Sequence, residues 1–206
     1  MSTDNTTAVP VKIIMLGSIN VGKTSLVAKY ATGKAPLKKE STKTASYVNK
    51  LKKVNGIKFE IKLWDTAGQE KYKSLTKLFI KDTKIAILVY SIDNEESFND
   101  LDDWLKLIKS TIDETIIYGV CANKSDLASE KTISDEKGKE YAEKIGADWT
   151  STSAIINGKG IDKFVETLFI KYYNNLYSAK NSRETLSSLN SLNRAFIKDK
   201  DEKGCC

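Results

Sequence analysis

The segment with the most specific chemistry is Gly17-Ser18-Ile19-Asn20-Val21-Gly22-Lys23-Thr24. It fits G-x-x-x-x-G-K-[ST], a pattern in which glycines let the backbone curl and aim its N–H groups at phosphate oxygens. Lys23 has the reach to meet β- and γ-phosphates, and the Thr24 hydroxyl can ligate Mg²⁺. The candidate nucleotide-binding run is therefore Ser18, Ile19, Asn20, Val21, Gly22, Lys23, Thr24 and Ser25. A chance glycine turn is the competing reading. The segment's position between an apolar run and a helical pattern counts against it.

Two further segments supply complementary groups. In Trp64-Asp65-Thr66-Ala67-Gly68-Gln69-Glu70, Asp65 can hold Mg²⁺ through water, and Gly68 can bring its N–H to a γ-phosphate. Gln69 can orient an attacking water, which makes it the catalytic candidate. In Asn123-Lys124-Ser125-Asp126, a carboxylate can accept both the ring N–H and the exocyclic amine of guanine. Adenine would leave Asp126 desolvated and unpaired, a cost of a few kcal/mol. Ser153-Ala154 can offer a backbone N–H to the guanine oxygen. Each short motif is weak alone; their order and their places after apolar runs make them strong together.

The elements that must position these groups alternate. Val11 to Leu16, Lys84 to Ser91 and Thr115 to Ala122 are apolar runs that read as buried strands. Tyr47 to Val54 and Ile57 to Asp65 read as a hairpin joined at Asn55-Gly56. Helices are expected over Gly22 to Thr32, Glu95 to Ile112, Ser134 to Ile145 (with Ser134 as N-cap and Gly146 as stop) and Ile161 to Tyr177. A short strand is expected at Ala147 to Thr152, and a loop at Lys34 to Ser46. Strands alternating with helices imply an α/β fold, a mostly parallel sheet covered on both faces, with one antiparallel strand from the hairpin.

Composition narrows the function classes. At 40% hydrophobic and 29% charged residues, the 206-residue chain is too close to globular averages to be disordered throughout. No run of 18 apolar residues exists, so no spanning helix is expected, and Met1 to Pro10 lacks the character of a secretory signal. The absence of histidine removes imidazole bases and His metal sites. Between Lys34 and Lys62 nine lysines face only Glu40 and Glu60, a balance of +7. That reads either as a solvated lysine-rich surface or as attraction to anionic lipid or an acidic partner. Nucleic acid is not expected, because no arginine lies there. Cys121, Cys205 and Cys206 cannot all pair, which favours a reducing compartment.

With these motifs in order over about residues 11 to 177, the chain resembles a Ras-superfamily small GTPase, and more closely a Rab; ESTKTASY and YKSL are similar to the early-endosome branch. The resemblance implies a P-loop NTPase G domain with a six-stranded sheet over residues 11–177, between a flexible 1–10 and a flexible tail, 178–206. It implies a GTP/GDP switch that hydrolyses GTP, with Mg²⁺ held by Thr24, Asp65 and Thr42, the last lying 18 residues after Thr24. Tyr47, Trp64 and Phe79 match the aromatic triad that contacts effectors, and Cys205-Cys206 resembles a double-prenylation site. The implied partners are effector proteins, an exchange factor, a GTPase-activating protein, a GDP-dissociation inhibitor and the cytoplasmic face of an endosomal or other vesicle membrane; the chain itself is expected to be a monomer.

Several residues depart from the family pattern. Ile19 stands where relatives usually carry Gly or Ser; its branched side chain crowds Gln69, so hydrolysis is expected to be slow, unless the loop shifts to accommodate it. Ala35 stands where relatives stack an aromatic on guanine, so fast GDP release is expected. Thr44 replaces a switch glycine, and Ile155 replaces a lysine after Ser-Ala. The only arginines, Arg183 and Arg194, lie in the tail, so any arginine finger must come from a partner. A GTP-binding effector scaffold with negligible hydrolysis is the alternative function, and a P-loop kinase or ATPase is disfavoured by NKSD.

Overall fold

The computed structural model describes residues 8–34, 45–66, 73–156 and 160–178. The chain divides into two compact units, Met1–Phe169 and Ile170–Cys206. The first contains β1 (Val9–Leu16), α1 (Lys23–Thr32), β2 (Ser46–Val54), β3 (Ile57–Asp65), α2 (Lys73–Ile80), β4 (Ile85–Ser91), α3 (Glu95–Asn99), α4 (Leu101–Lys109), β5 (Ile117–Asn123), α5 (Asp135–Lys144) and β6 (Asp148–Ser151). The last helix, α6, spans residues 161–178. Within the second unit the Tyr173 and Tyr177 rings lie 4.4 Å apart.

The six strands form one sheet in the order β2-β3-β1-β4-β5-β6. All neighbours are parallel except β2 and β3. The expected α/β architecture is therefore present, with the antiparallel strand at one edge. Every residue of β4 is buried, as its uninterrupted apolar sequence requires of a strand covered on both faces. The β2–β3 hairpin turns at Asn55 and Gly56, whose φ values of 47° and 82° are both positive. That is the geometry a tight two-residue turn demands, and Asn-Gly adopts it readily.

The helix expected over Glu95 to Ile112 is shorter and interrupted. It stops at Asn99, resumes at Leu101 and ends at Lys109. Asn94 caps the first part by accepting from Ser97 N–H at 2.9 Å. At the far end the Ser110 and Thr111 hydroxyls both donate to the Leu107 carbonyl, at 2.9 and 2.7 Å, and close the helix there. Its apolar stripe behaves as expected: Leu101, Trp104, Leu105 and Ile108 are buried against the sheet. Each fully buried side chain of this kind contributes about 1.5–3 kcal/mol. Ser134 caps α5 by accepting from Lys137 N–H at 3.2 Å, and Gly146 follows that helix at φ 71°.

Candidate guanine-nucleotide site

Because β1, β3, β4, β5 and β6 run parallel, their carboxyl ends share one edge of the sheet. The described motif residues follow these ends. Gly17 to Thr24 follows β1, Asp65 closes β3, Asn123 to Asp126 closes and follows β5, and Ser153-Ala154 comes two residues after β6. Crevices outside strand carboxyl ends are where such sheets bind ligands.

The phosphate loop is shaped by two glycines that cannot be replaced. Gly17 has φ 150°, and a Cβ there would lie 2.1 Å from the Val89 carbonyl oxygen of β4. Gly22 has φ 94°, and a Cβ would lie 2.4 Å from Asn123 Nδ2. Asn20 also holds a positive φ of 62°, a conformation Asn tolerates better than most residues. Gly22 is the N-cap of α1, so no side chain caps this helix end, and no acidic residue occupies the first turn. The helix N-terminus therefore keeps N–H groups and a positive dipole end suited to an anion.

Lys23 lies across this loop. Its Nζ donates to the Gly17 carbonyl at 2.7 Å and the Ser18 carbonyl at 2.9 Å. The side chain is buried, and desolvation pulls its pKa down to about 8 against a smaller opposing attraction from Asp65. A buried ammonium whose charged form is disfavoured by desolvation gains from an anion whose oxygens accept its N–H bonds. Thr66 Oγ1 donates to the Met15 carbonyl at 2.7 Å, tying the start of the Asp65 segment to β1.

At the carboxyl end of β5, Asn123 is 1% exposed. Its Nδ2 donates to the Val21 carbonyl at 2.7 Å, and its Oδ1 accepts from Thr152 Oγ1 at 3.2 Å. One side chain thus joins the phosphate loop, β5 and the end of β6. Lys124 takes φ 62°, which turns the chain so that Ser125 N–H reaches the Thr152 carbonyl at 2.9 Å. Ser153 Oγ donates to Asp126 Oδ1 at 2.5 Å and accepts the N–H groups of Ile155 and Ile156 at 3.1 Å. This pins one oxygen of the Asp126 carboxylate and fixes its orientation. Ile155 itself is 61% exposed.

Three further residues bond to these groups: Asp93 and Asp100, which lie in no motif, and Thr152, which opens Thr152-Ser153-Ala154. Asp93 receives the Ser91 hydroxyl and lies 3.4 Å from Lys124 Nζ. Burial alone would raise the Asp93 carboxyl, but the Ser91 bond and the Lys124 charge outweigh it, and the net shift is downward. Asp100, at the break between α3 and α4, makes no cap bond to its own helix. Its Oδ2 instead accepts from Ser18 Oγ at 2.5 Å, across 82 residues of sequence. Thr152 Oγ1, besides serving Asn123, lies 3.0 Å from Cys121 Sγ.

The aromatic triad is assembled. The Tyr47 and Trp64 rings lie 4.8 Å apart and the Trp64 and Phe79 rings 6.0 Å apart. Ala35, Thr42, Thr44, Gly68, Gln69, Cys205 and Cys206 lie outside the described residues.

The Ras family model matches residues 12–175, which include the phosphate loop, Asp65 and the ends of β5 and β6. Ras-related protein Rab-21 of the sponge Geodia cydonium is 39% identical over 71% of this chain and 64% of its own length. Ras-related protein Rab-21 of Homo sapiens is 38% identical over 74% of this chain and 67% of its own. Ras-related protein Rab-11B of Dictyostelium discoideum is 34% identical over 88% of this chain and 81% of its own. This chain belongs to the Rab branch of the Ras family. It spans somewhat under two thirds of the sponge Rab-21 and 56% of RabJ from Dictyostelium discoideum.

A Rab-type fold implies Mg²⁺, and the residues present fit it. Among the described residues no group of three or more His, Cys, Asp or Glu could hold a metal. Mg²⁺ does not need one: it keeps several waters and takes one or two protein oxygens alongside substrate phosphates. The Thr24 hydroxyl and the Asp65 carboxylate are hard oxygen donors of that kind. No helix of this Rab-family chain, among its described residues, is long and apolar enough to cross a membrane.

Proposed function

We propose that this protein is a guanine-nucleotide switch that hydrolyses GTP slowly and recruits effectors in vesicular membrane traffic. The observation that carries this reading is the Ser153–Asp126 bond together with the Asn123–Val21 bond. The first presents a fixed carboxylate at the purine end, and the second locks the phosphate loop to that end.

Each group, in residues 11–177 and at the last two positions, has a role set by its chemistry. Ser18 to Gly22 and Ser25 line the phosphates, and Lys23 neutralises them. Thr24, Asp65 and Thr42 would hold Mg²⁺, which when bound supplies charge neutralisation at the phosphate oxygens. Gln69 orients water, and Gly68 and Thr42 order their loops in the GTP state and release them afterwards. Asn123, Lys124, Asp126, Ser153 and Ala154 select guanine. Tyr47, Trp64 and Phe79 meet effectors. Cys205 and Cys206 take lipid, because two chains anchor stably where one anchors marginally. An exchange factor, a GTPase-activating protein and a GDP-dissociation inhibitor would act on the cycle between cytosol and an endosomal or similar membrane.

Calorimetric titration of the full chain with GDP, GTP and their adenine counterparts in Mg²⁺ tests the reading. Guanine nucleotides should bind far more tightly, and Asp126→Ala should erase the preference. Equal binding of ATP would overturn it. The second reading, a GTP-loaded scaffold with negligible turnover, draws on Ile19, which is 41% exposed on the loop. Phosphate release over several turnovers, with and without an activating protein, separates the two.

A further inference from the structure

A ligand that spans the site from the phosphate loop to Asp126 has to pass the carboxyl end of β4, because β4 lies between β1 and β5 in the sheet. A bridge of two side chains crosses that place. Lys124 begins just beyond β5, and Asp93 lies two residues beyond β4. The Lys124 Nζ is 3.5 and 3.4 Å from the two Asp93 carboxylate oxygens. The register sets the last residues of the two strands, Ser91 and Asn123, side by side. The lysine stem therefore runs along the sheet edge, from the end of one strand to the end of its neighbour.

The fold fixes both ends of this bridge. Lys124 holds φ 62°, a conformation few non-glycine residues adopt. Asp93 sits in a turn bonded on each side. Ile92 N–H donates to the Asn123 carbonyl at 3.1 Å, the Ile92 carbonyl accepts from Thr132 N–H at 2.8 Å, and Asn94 N–H donates to the Ser91 carbonyl at 3.0 Å. The buried Ser91 hydroxyl donates to Asp93 Oδ1. The Lys124 and Asp93 side chains are 31% and 20% exposed, so water screens their attraction less than in an open surface pair. A lysine stem left to itself samples many rotamers, and ordering it when a ligand arrives costs entropy. A carboxylate that already holds the ammonium removes that cost in advance.

We propose that Asp93 is a positioning residue: it holds the Lys124 stem across the end of β4 as an apolar rest for the nucleoside, between the phosphate loop and Asp126. The proposal rests on reading the site as one for guanine nucleotides and deepens that reading by a residue outside every motif.

The test measures the release of fluorescent GDP, and of the matching inosine diphosphate, from the full chain in Mg²⁺. Asp93→Asn keeps an oxygen for the Ser91 hydroxyl and leaves the Asn94 cap of α3 alone, but it takes away the charge that holds Lys124. It should speed GDP release about tenfold. Inosine diphosphate lacks the exocyclic amine that Asp126 would bind. Its release should speed by the same factor, since the stem meets the nucleoside and not that amine. Asp93→Glu keeps the charge on a longer arm and should restore most of the retention. Lys124→Met keeps a stem and drops the ammonium, and adding Asp93→Asn to it should make release no faster. A purely structural role for Asp93 would make the two substitutions additive and Glu no better than Asn, and either result overturns the proposal. So does an unchanged release rate for Asp93→Asn, or a change confined to GDP. A parent chain that retains neither nucleotide overturns the nucleotide reading itself, and the role of Asp93 falls with it.

Discussion

Replacing Asn123 with Ala tests whether one buried amide holds the two halves of the site together. The substitution removes the 2.7 Å bond to the Val21 carbonyl and the 3.2 Å bond from Thr152. Each such bond contributes about 1 kcal/mol net, and a buried acceptor left unpaired costs about 1–3 kcal/mol more. Val21 is 1% exposed, so its carbonyl has little access to water. Thr152 keeps Cys121 Sγ at 3.0 Å, so only one strongly orphaned group remains. The sum is about 3–5 kcal/mol, which for a chain of this size lowers the melting temperature by roughly 6–20 °C. Nucleotide affinity should fall about tenfold or more, because the freed carbonyl belongs to the phosphate loop. Two companions sharpen the result. Thr152→Val removes only the weaker bond and should cost about 1 kcal/mol. Asn123→Asp keeps the shape but sets a buried carboxylate against the Val21 carbonyl, and it should be worse than Ala. Calorimetric melting at fixed GDP, paired with a fluorescent-GDP release assay, reads both effects. A melting point for Asn123→Ala within about 2 °C of the parent would refute the coupling.

Other expectations follow from single contacts. Ser18→Ala, which removes one half-buried charge-assisted bond, and Asp100→Asn, which takes away its charge, should each speed GDP release about three- to tenfold. The double variant should be no faster than the quicker single one, and additive effects would show that the residues act separately. Ile19→Gly should raise the single-turnover GTP hydrolysis rate, and an unchanged rate would clear Ile19 of blame. The Cys121 thiol is fully buried and pushed up to about 12 by desolvation, outweighing the Thr152 bond. It should resist alkylation at pH 8 until the chain unfolds, as mass spectrometry of the digested protein can show. Because its folded pKa lies above the unfolded 9.0, its contribution to stability should decline as pH rises from about 9 towards 12.

Much of this arrangement was legible from local patterns. The phosphate loop, the Asn-Gly hairpin and the fully apolar β4 each carry a signature within a few residues. What escaped notice depends on distant pairings. Nothing around Asp100 says that its carboxylate will leave its own helix for Ser18, and the same site interrupts the helix expected from an unbroken apolar stripe. Thr152 stands in the Thr152-Ser153-Ala154 motif, but its bonds to Asn123 and Cys121 exist only once β5 and β6 pair. Asp93 lies in no motif, and its contact with Lys124 needs β4 and β5 to be paired.

The close fit of Gly17 under β4 has a bearing on how such a chain can change over time. A side chain at position 17 is barred by the Val89 carbonyl whether or not a phosphate ever arrives. Selection for a soluble, folded product alone would therefore preserve that glycine. A descendant that had lost its ligand would be expected to keep Gly17 and let Lys23 drift, so the lysine is the more informative relic of function.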